Sequence, residues 1–191
     1  METAIYIFLA LLLMVILLRG QLATFRAQKP QDYAMAAPAF NVQEHLKGRM
    51  ICEGVIYGPM GRVTSTFSAD FDMQWDGNVG VMTEHFRYND GTEQTREWTI
   101  TVHEDGTFDA EAPDVIGTGS GAHAGNAIRM VYNIRLPQEA GGHVLSTLDW
   151  MYLTPDGTVM NRSQFRKFGI KVAELVATMR PKRNTNLQPG E

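Results

Sequence analysis

The most regular pattern of apolar and polar positions in this chain lies at residues 62–75, RVTSTFSADFDMQW. Side chains on a strand point to opposite faces in alternation, so this pattern predicts one long strand with one face in a core. Asp76-Gly77 follows it and predicts a hairpin turn. The alternate positions that share the buried face are Val63, Ser65, Phe67, Ala69, Phe71, Met73 and Trp75.

The same alternation recurs along the chain and predicts eight strands joined mostly by short glycine-containing turns. Short connections place successive strands side by side and antiparallel, and eight strands with one apolar face each can close into an up-and-down, lipocalin-like barrel. A barrel of this size either holds one small ligand or is filled by its own side chains. A two-sheet sandwich is the alternative. The predicted strands are 49–57, 62–75, 80–88, 93–103, 107–112, 127–136, 143–153 and 158–167.

Three segments depart from this pattern. Residues 117–125, GTGSGAHAG, are followed by a predicted strand. A phosphate-binding loop requires a helix at that point, so we expect a mobile hairpin or a strand kink. Asn41 is placed to cap a short helix at 42–47. At the C-terminal end, Val172, Leu175, Val176 and Met179 have helical spacing and predict a helix packed outside the barrel.

The N-terminal part of the chain is a continuous apolar run at residues 4–18. Extended on both sides, it approaches the roughly 20 residues of a membrane-spanning helix. A cleaved signal peptide fits less well, because no basic residue precedes the run and no clear small-x-small site follows it. We therefore predict a transmembrane anchor at 1–25, a linker at 26–40, a lipocalin-like barrel domain at 41–180 and a disordered tail at 181–191.

Charge restricts the partners of the protein. The net charge is -4, and the acidic residues concentrate in the predicted barrel, which argues against nucleic acid as a partner. Arg19, Arg26 and Lys29 follow the apolar run. The positive-inside rule then predicts a single-pass protein of the bacterial inner membrane with its C-terminal body in the cytoplasm.

The sequence contains no recognisable catalytic or metal-binding arrangement. Cys52 is the single cysteine and lies in an apolar strand pattern, so we expect an inert buried thiol and no disulfide within the chain. The five histidines are scattered without metal-ligand spacing. We therefore predict no metal, no cofactor, no catalytic residue and no enzymatic activity.

The candidate ligand-binding residues are polar or aromatic side chains within apolar strands. Asp149 and Arg162 lie on predicted neighbouring strands and can form a structural ion pair. Alternatively, Arg162 or Arg96 binds the carboxylate or phosphate head group of a lipid. The aromatic members of the set either line a cavity or fill the core. The full candidate set is Arg96, Trp98, Tyr132, Asp149, Trp150, Tyr152 and Arg162.

A second polar group lies on the third predicted strand. His85 and Arg87 share one face of this strand, and Glu84 and Phe86 share the other. A His–carboxylate general base requires a partner on the same face. No carboxylate partner for His85 is evident on that face within the strand. The pattern therefore favours pairing of exposed side chains across strands.

Several motifs in residues 40–180 give the chain a family resemblance. They include Trp75-Asp76-Gly77, Glu84-His85-Phe86, Arg96-Glu97-Trp98, Gly117-Thr118-Gly119, Asp149-Trp150-Met151-Tyr152 and Asn161-Arg162-Ser163. In this order they resemble the bacterial DUF3833 domain family, which is uncharacterised. Many of its members look like exported lipoproteins, which implies a periplasmic body, the opposite of the charge-based orientation. Neighbouring genes for cyclopropane-fatty-acid-synthase-like enzymes imply a link to membrane lipid modification. The resemblance implies no catalytic residues.

The function predicted from these observations is that of a membrane-anchored, lipocalin-like protein. It is expected to bind or present a lipid or another apolar ligand, with a membrane lipid as its partner. The alternative is a structural accessory subunit of a membrane protein complex.

Overall fold

The computed structural model describes residues 2–22 and 24–182 of the 191-residue chain. It begins with helix α1 (Glu2–Leu22), a 3₁₀ turn (Pro30–Tyr33) and the short helix α2 (Val42–His45). Ten strands follow, and a second 3₁₀ turn (Gln138–Ala140) lies between the seventh and eighth. The strands are β1 (Gly48–Tyr57), β2 (Val63–Asp76), β3 (Val79–Tyr88), β4 (Glu93–Val102), β5 (Thr107–Glu111), β6 (Gly119–Ala124), β7 (Ala127–Arg135), β8 (Val144–Leu153), β9 (Val159–Lys167) and β10 (Ile170–Pro181).

The strands form one closed antiparallel barrel. Each pairs with its neighbours in the sequence, and β10 pairs with β1 to close the sheet. The predicted mainly β, closed up-and-down barrel is therefore confirmed, and the sandwich alternative is wrong. The predicted number of eight strands is also wrong, because two further segments are strands.

The first additional strand is β6, which lies within the glycine-rich segment expected to be a hairpin or kink. Its alternate glycines make room for a neighbouring ring. A Cβ atom on Gly121 would lie 2.0 Å from Cζ of Phe108, which faces it from β5. Glycine allows this close approach of backbone and side chain. Because no apolar side chain occupies these positions, β6 shows no alternation of apolar and polar residues in the sequence.

The second additional strand is β10, where we predicted a C-terminal helix. The helical spacing from Val172 to Met179 coincides with a strand alternation in the same segment. Leu175, Ala177 and Met179 line the barrel interior, and β-branched residues between them favour a strand. Pairing of β10 with both β1 and β9 closes the barrel, so tertiary hydrogen bonding decides between two patterns that the sequence allows.

The N-terminal and C-terminal predictions have different outcomes. Within residues 2–22 and 24–182, no helix is long and apolar enough to span a membrane, so the predicted transmembrane helix is not found there. At the other end, Pro181 belongs to β10, and the backbone N–H of Lys182 donates to the carbonyl of Arg49 (2.8 Å). Residues 183–191 of the predicted disordered tail lie outside the described residues.

Helix α2 lies across one end of the barrel. The side chain of Asn41 caps it, as predicted, by accepting from the backbone N–H groups of Gln43 (3.0 Å) and Glu44 (3.2 Å). Val42 and Leu46 are buried in the barrel core. The indole of Trp75 donates to the carbonyl of Leu46 (2.8 Å) and fixes the helix to β2. We call this the helix end of the barrel.

The segment predicted as a linker, 26–40, contacts the outside of the barrel wall. Tyr33, in the first 3₁₀ turn, packs against Trp150 and Tyr152 of β8 with ring centroids 5.4 Å apart in both pairs. These rings and their neighbours Ala127 and Leu148 form a second small hydrophobic cluster. The barrel wall therefore separates two packed regions, the interior and this outer cluster.

Candidate functional site

The barrel encloses a cavity of about 420 Å³. It begins at Val42 and Leu46 at the helix end and reaches Leu136 and Pro137 in the connection between β7 and β8. Most of its wall is apolar and aromatic. The sequence left open whether the interior is a cavity or a filled core, and the structure shows a cavity. Its apolar wall includes Phe67, Phe71, Met82, Phe86, Trp98, Ile100, Phe108, Ile128, Met130, Leu145, Met151 and Leu175.

A cluster of polar side chains interrupts this apolar wall. We call Glu84, Arg96, Asp114 and Asp149, all of which line the cavity, the inner polar cluster. Arg96 Nε donates to Asp114 Oδ1 (2.9 Å), and its guanidinium lies 4.2 Å from the centroid of the Trp98 ring. Arg96 Nη2 is buried without a hydrogen-bond partner. The arginine is therefore held by an ion pair and a cation–π contact, with one donor group still free.

Glu84 lies directly opposite Arg96 in the pairing of β3 with β4. Its side chain is 5% exposed, and Oε2 is buried without a hydrogen-bond partner. Burial raises the pKa of Glu84 to about 7, because the charged form loses its hydration and the nearby Arg96 offsets only part of that cost. Glu84 therefore changes its charge near neutral pH.

Asp149 differs from Glu84 in its hydrogen bonds. Its carboxylate Oδ1 accepts from Ser163 Oγ (2.8 Å) and from the side-chain amide of Asn161. Burial still raises the pKa of Asp149 to about 6, although both hydrogen bonds favour the charged form. This carboxyl group is held in place by its partners on β9.

Tyr132 completes the polar part of the wall. Its ring packs edge-on against Trp98 with centroids 5.3 Å apart. Burial raises the pKa of the Tyr132 hydroxyl far above its ordinary value, so the phenol stays neutral. It contributes an uncharged donor and acceptor beside Arg96.

The candidate residues from the sequence divide between two faces of the wall. The structure brings Arg96, Trp98, Tyr132 and Asp149 together around the cavity. The other three lie on the outer face. Trp150 is completely buried in the outer cluster. The Tyr152 hydroxyl donates to Gln28 Oε1 (2.8 Å).

Arg162 also lies outside, and the proposed pair with Asp149 does not form. Asp149 lies opposite Ser163 in the sheet, and Arg162 lies opposite Trp150. Asp149 and Arg162 are therefore one position out of register and point to opposite faces. Arg162 Nη2 instead pairs with Glu174 Oε1 (2.7 Å), and its guanidinium lies 4.7 Å from the centroid of the Phe25 ring.

The predicted ligand-binding set omits two members of the inner polar cluster, Glu84 and Asp114, and Glu84 was considered only together with His85 and Arg87. Glu84 shares the apolar face of β3 with Met82 and Phe86, and this carboxylate on an apolar face was a usable signal. Asp114 lies just beyond β5, in the connection to β6, and continuing the β4–β5 register places it opposite Arg96. Arg87 and His85, on the other face of β3, pair across strands with Asp70 (2.8 Å) and Thr95 (3.2 Å).

Cys52, expected to be a buried thiol, is buried on β1. Burial raises the pKa of the Cys52 thiol to about 12, so the thiol stays protonated at neutral pH. Across residues 2–22 and 24–182, no group of three or more His, Cys, Asp or Glu side chains is placed to hold a metal ion.

A closed antiparallel barrel with an apolar cavity and a few inward polar groups defines a class, the small barrels that can enclose one ligand. The chain belongs to the DUF3833 family, described as a protein of unknown function, whose family model matches residues 20–181. No curated protein matches the sequence.

Several solved structures share the fold. Rv2717c from M. tuberculosis is 17% identical with a TM-score of 0.55, covering 78% of this chain and 99% of its own. The S-type phycobiliprotein lyase CPES from Guillardia theta is 8% identical with a TM-score of 0.56, covering 83% and 99%. A DUF3598 family protein from Nostoc punctiforme is 12% identical with a TM-score of 0.55, covering 77% of this chain and 51% of its own. At these identities the likeness concerns the fold alone.

Proposed function

We propose that this protein is a non-catalytic binding protein that encloses one apolar small molecule, such as the hydrocarbon part of a lipid, in its barrel. The observation that carries the proposal is the cavity of about 420 Å³. This volume lies within the range of about 300–1,000 Å³ that is typical of small-molecule sites. A barrel filled by its own side chains would have no such space.

The composition of the wall agrees with an apolar ligand. Aromatic and aliphatic side chains from most strands line the cavity, and the polar groups concentrate in the inner polar cluster. Ligand sites commonly combine an apolar wall with a few polar groups that fix the orientation of the ligand. The S-type phycobiliprotein lyase CPES, one of the structural neighbours, has a barrel of the same fold. A binding role for the present chain is our inference from its own cavity.

The test is whether filling the cavity abolishes binding. Ala173 lines the cavity from β10, and Ala173→Phe places a ring in that space. We expect an apolar fluorescent probe to bind the wild-type protein and to bind this variant at least about tenfold more weakly. Thr83→Phe is the matched control, because Thr83 lies exposed on the outer face of β3.

Native mass spectrometry of the protein purified in mild detergent, with lipid extraction of the same sample, then identifies any retained molecule. Equal probe binding by wild type and Ala173→Phe would contradict the proposal. So would a wild-type protein that binds no apolar probe and retains no small molecule.

A structural accessory subunit is the second candidate function, and exposed apolar side chains favour it. Met60 (88% exposed), Phe168 (93%) and Ile170 (69%) lie in or beside turns at the end of the barrel opposite α2. Exposed apolar groups in one region often mark contacts with other molecules. A protein that co-purifies in a fixed ratio in mild detergent would support this role, and a monomer that carries a small molecule would exclude it.

A further inference from the structure

The inner polar cluster contains two buried atoms of opposite hydrogen-bonding type without partners. Glu84 Oε2 is an acceptor when the carboxyl group is ionised, and Arg96 Nη2 is a donor. The two residues lie directly opposite each other on β3 and β4 and point into the cavity. Their Cβ atoms are therefore about 4.5–5.5 Å apart. Buried polar groups in native proteins are almost always hydrogen-bonded, so this pair is a feature that requires an explanation.

Glu84 and Arg96 do not satisfy each other. No ion pair joins them among the described residues, and the Arg96 Nε group is already committed to Asp114. A third group that donates to one atom and accepts from the other would satisfy both.

The charge around this point restricts that third group. Arg96 faces the carboxyl groups of Glu84 on β3, Asp114 in the β5–β6 connection and Asp149 on β8. The carboxylate of Asp114 already neutralises the positive charge of Arg96. The other titratable groups facing Glu84 are the neutral Tyr88, Tyr132 and Cys52. A carboxylate or phosphate on a ligand would add a further negative charge where carboxyl groups already outnumber the arginine.

We propose that the polar head of the bound molecule is an uncharged group, a hydroxyl or a carboxamide on a hydrocarbon chain, that donates to Glu84 Oε2 and accepts from Arg96 Nη2. This inference rests on the proposed binding function and specifies its ligand class. It differs from the head group that the sequence pointed to, an anionic carboxylate or phosphate held by arginine.

Glu84 also sets an expected pH dependence. Its pKa is about 7, so it is mostly ionised near pH 8. A ligand carboxylate then meets a second anion, whereas a hydroxyl or amide still finds an acceptor oxygen. When Glu84 is protonated, at lower pH, its own contribution to the repulsion disappears. Binding of a fatty acid should therefore weaken as the pH rises through about 7, and binding of the matched alcohol should change little.

The experiment compares molecules with one chain length and different heads. Dodecane, dodecanol, dodecanamide and dodecanoate each displace the apolar probe from the full chain. Near pH 8 we expect dodecanol and dodecanamide to bind about tenfold more tightly than dodecane or dodecanoate. In Glu84→Leu, the preference of the alcohol over dodecane should fall, because only the hydrogen bond from Arg96 remains. Glu97→Gln, an exposed position on the outer face of the neighbouring β4, is the matched control and should behave like wild type.

The possible outcomes separate this inference from the proposed function. If dodecane and dodecanol bind equally, or if dodecanoate binds most tightly near pH 8, the uncharged-head assignment is overturned while the binding function stands. If no member of the series binds, the proposed function itself fails. Glu84→Gln keeps the shape of the side chain and removes its charge, so dodecanoate binding to this variant should vary little between about pH 7 and pH 8, a window that lies above the pKa of Asp149. An unchanged pH dependence in this variant would also contradict the inference.

Discussion

Two buried glutamates on opposite faces of the barrel wall show how differently the two faces are built. Glu84 faces the cavity and is 5% exposed, and Glu174 faces outward and is 8% exposed. The carboxylate of Glu174 accepts from Arg162 (2.7 Å) and, through its other oxygen, from Lys171 (2.8 Å) and Gln164 (3.0 Å). Glu84 keeps an oxygen without a partner. The two glutamates are therefore buried to a similar degree, but Glu174 has hydrogen-bond partners on both carboxylate oxygens and Glu84 does not.

The two pKa values move in opposite directions for this reason. Burial raises the pKa of both groups, but the hydrogen bonds to Lys171 and Arg162 outweigh it at Glu174 and lower its pKa. At Glu84 burial dominates, and the pKa rises to about 7. Glu174 is thus fully paired within the wall, whereas Glu84 keeps an unpaired oxygen that faces the cavity.

The largest expected effect comes from a substitution that disrupts the outer cluster and leaves the cavity unchanged. Trp150 is completely buried beneath Tyr33. Trp150→Ala should reduce the free energy of unfolding by about 3–5 kcal/mol, because it removes a large side chain and leaves a cavity. Urea denaturation measures this loss. Probe affinity of the folded variant should match wild type, since Trp150 does not line the barrel cavity.

Tyr152→Phe is the control for the Trp150 variant. It removes only the hydroxyl that donates to Gln28 and should cost about 1 kcal/mol. A Trp150→Ala protein of normal stability with impaired ligand binding would contradict the division of the wall into a structural outer face and a binding inner face.

The second prediction sharpens the comparison of the two glutamates. Glu174→Gln should lower stability at neutral pH by about 1–3 kcal/mol, because three donors lose a charged acceptor. Glu84→Gln should instead raise stability near pH 8 by about 1–3 kcal/mol, because it removes a charge that is costly to bury. Urea denaturation of both variants over a range of pH values measures the two effects.

The pH dependence has opposite signs at the two positions. The folded-state pKa of Glu174 is lowered, so its contribution is present above the unfolded value of 4.5 and is lost as the pH falls through the folded pKa. The folded-state pKa of Glu84 is raised, so the folded protein binds more protons than the unfolded chain between 4.5 and about 7. Stability from this group therefore falls as the pH rises across that window. Parallel pH profiles for the two variants would refute the comparison.

The strand alternation predicted much of the fold. The pattern at residues 62–75 corresponds to β2, with Phe67, Ala69, Phe71 and Met73 buried. The two missed strands have physical causes. β6 presents glycines where Phe108 requires space, and β10 carries a spacing that fits a helix as well as a strand. For β10 the deciding pairing is with β1, which is distant in the sequence, whereas for β6 the deciding contact comes from the preceding strand β5.

The inner polar cluster was less accessible to sequence reasoning. Whether Asp149 meets Arg162 depends on the register of β8 with β9, and a shift of one residue reverses every face. That register places Leu153 opposite Val159 across the turn, and the sequence did not define it. Glu84 was detectable from its position among apolar residues. Asp114 follows Pro113, where the predicted strand ends, and continuing the β4–β5 pairing past that point places Asp114 opposite Arg96.

The smallest expected effect concerns an exposed ion pair that belongs neither to the cavity nor to the outer cluster. Arg87 Nη2 lies 2.8 Å from Asp70 Oδ2, and both side chains are about 40% exposed. Water screens such a pair, so Arg87→Ala should change the free energy of unfolding by less than about 1 kcal/mol. Asp70 also keeps its contact with Lys182 Nζ (2.8 Å). Urea denaturation at low and high salt measures the effect, which should shrink further as salt increases. A loss comparable to that of Trp150→Ala would mean that exposed ion pairs stabilise the wall as much as buried packing does.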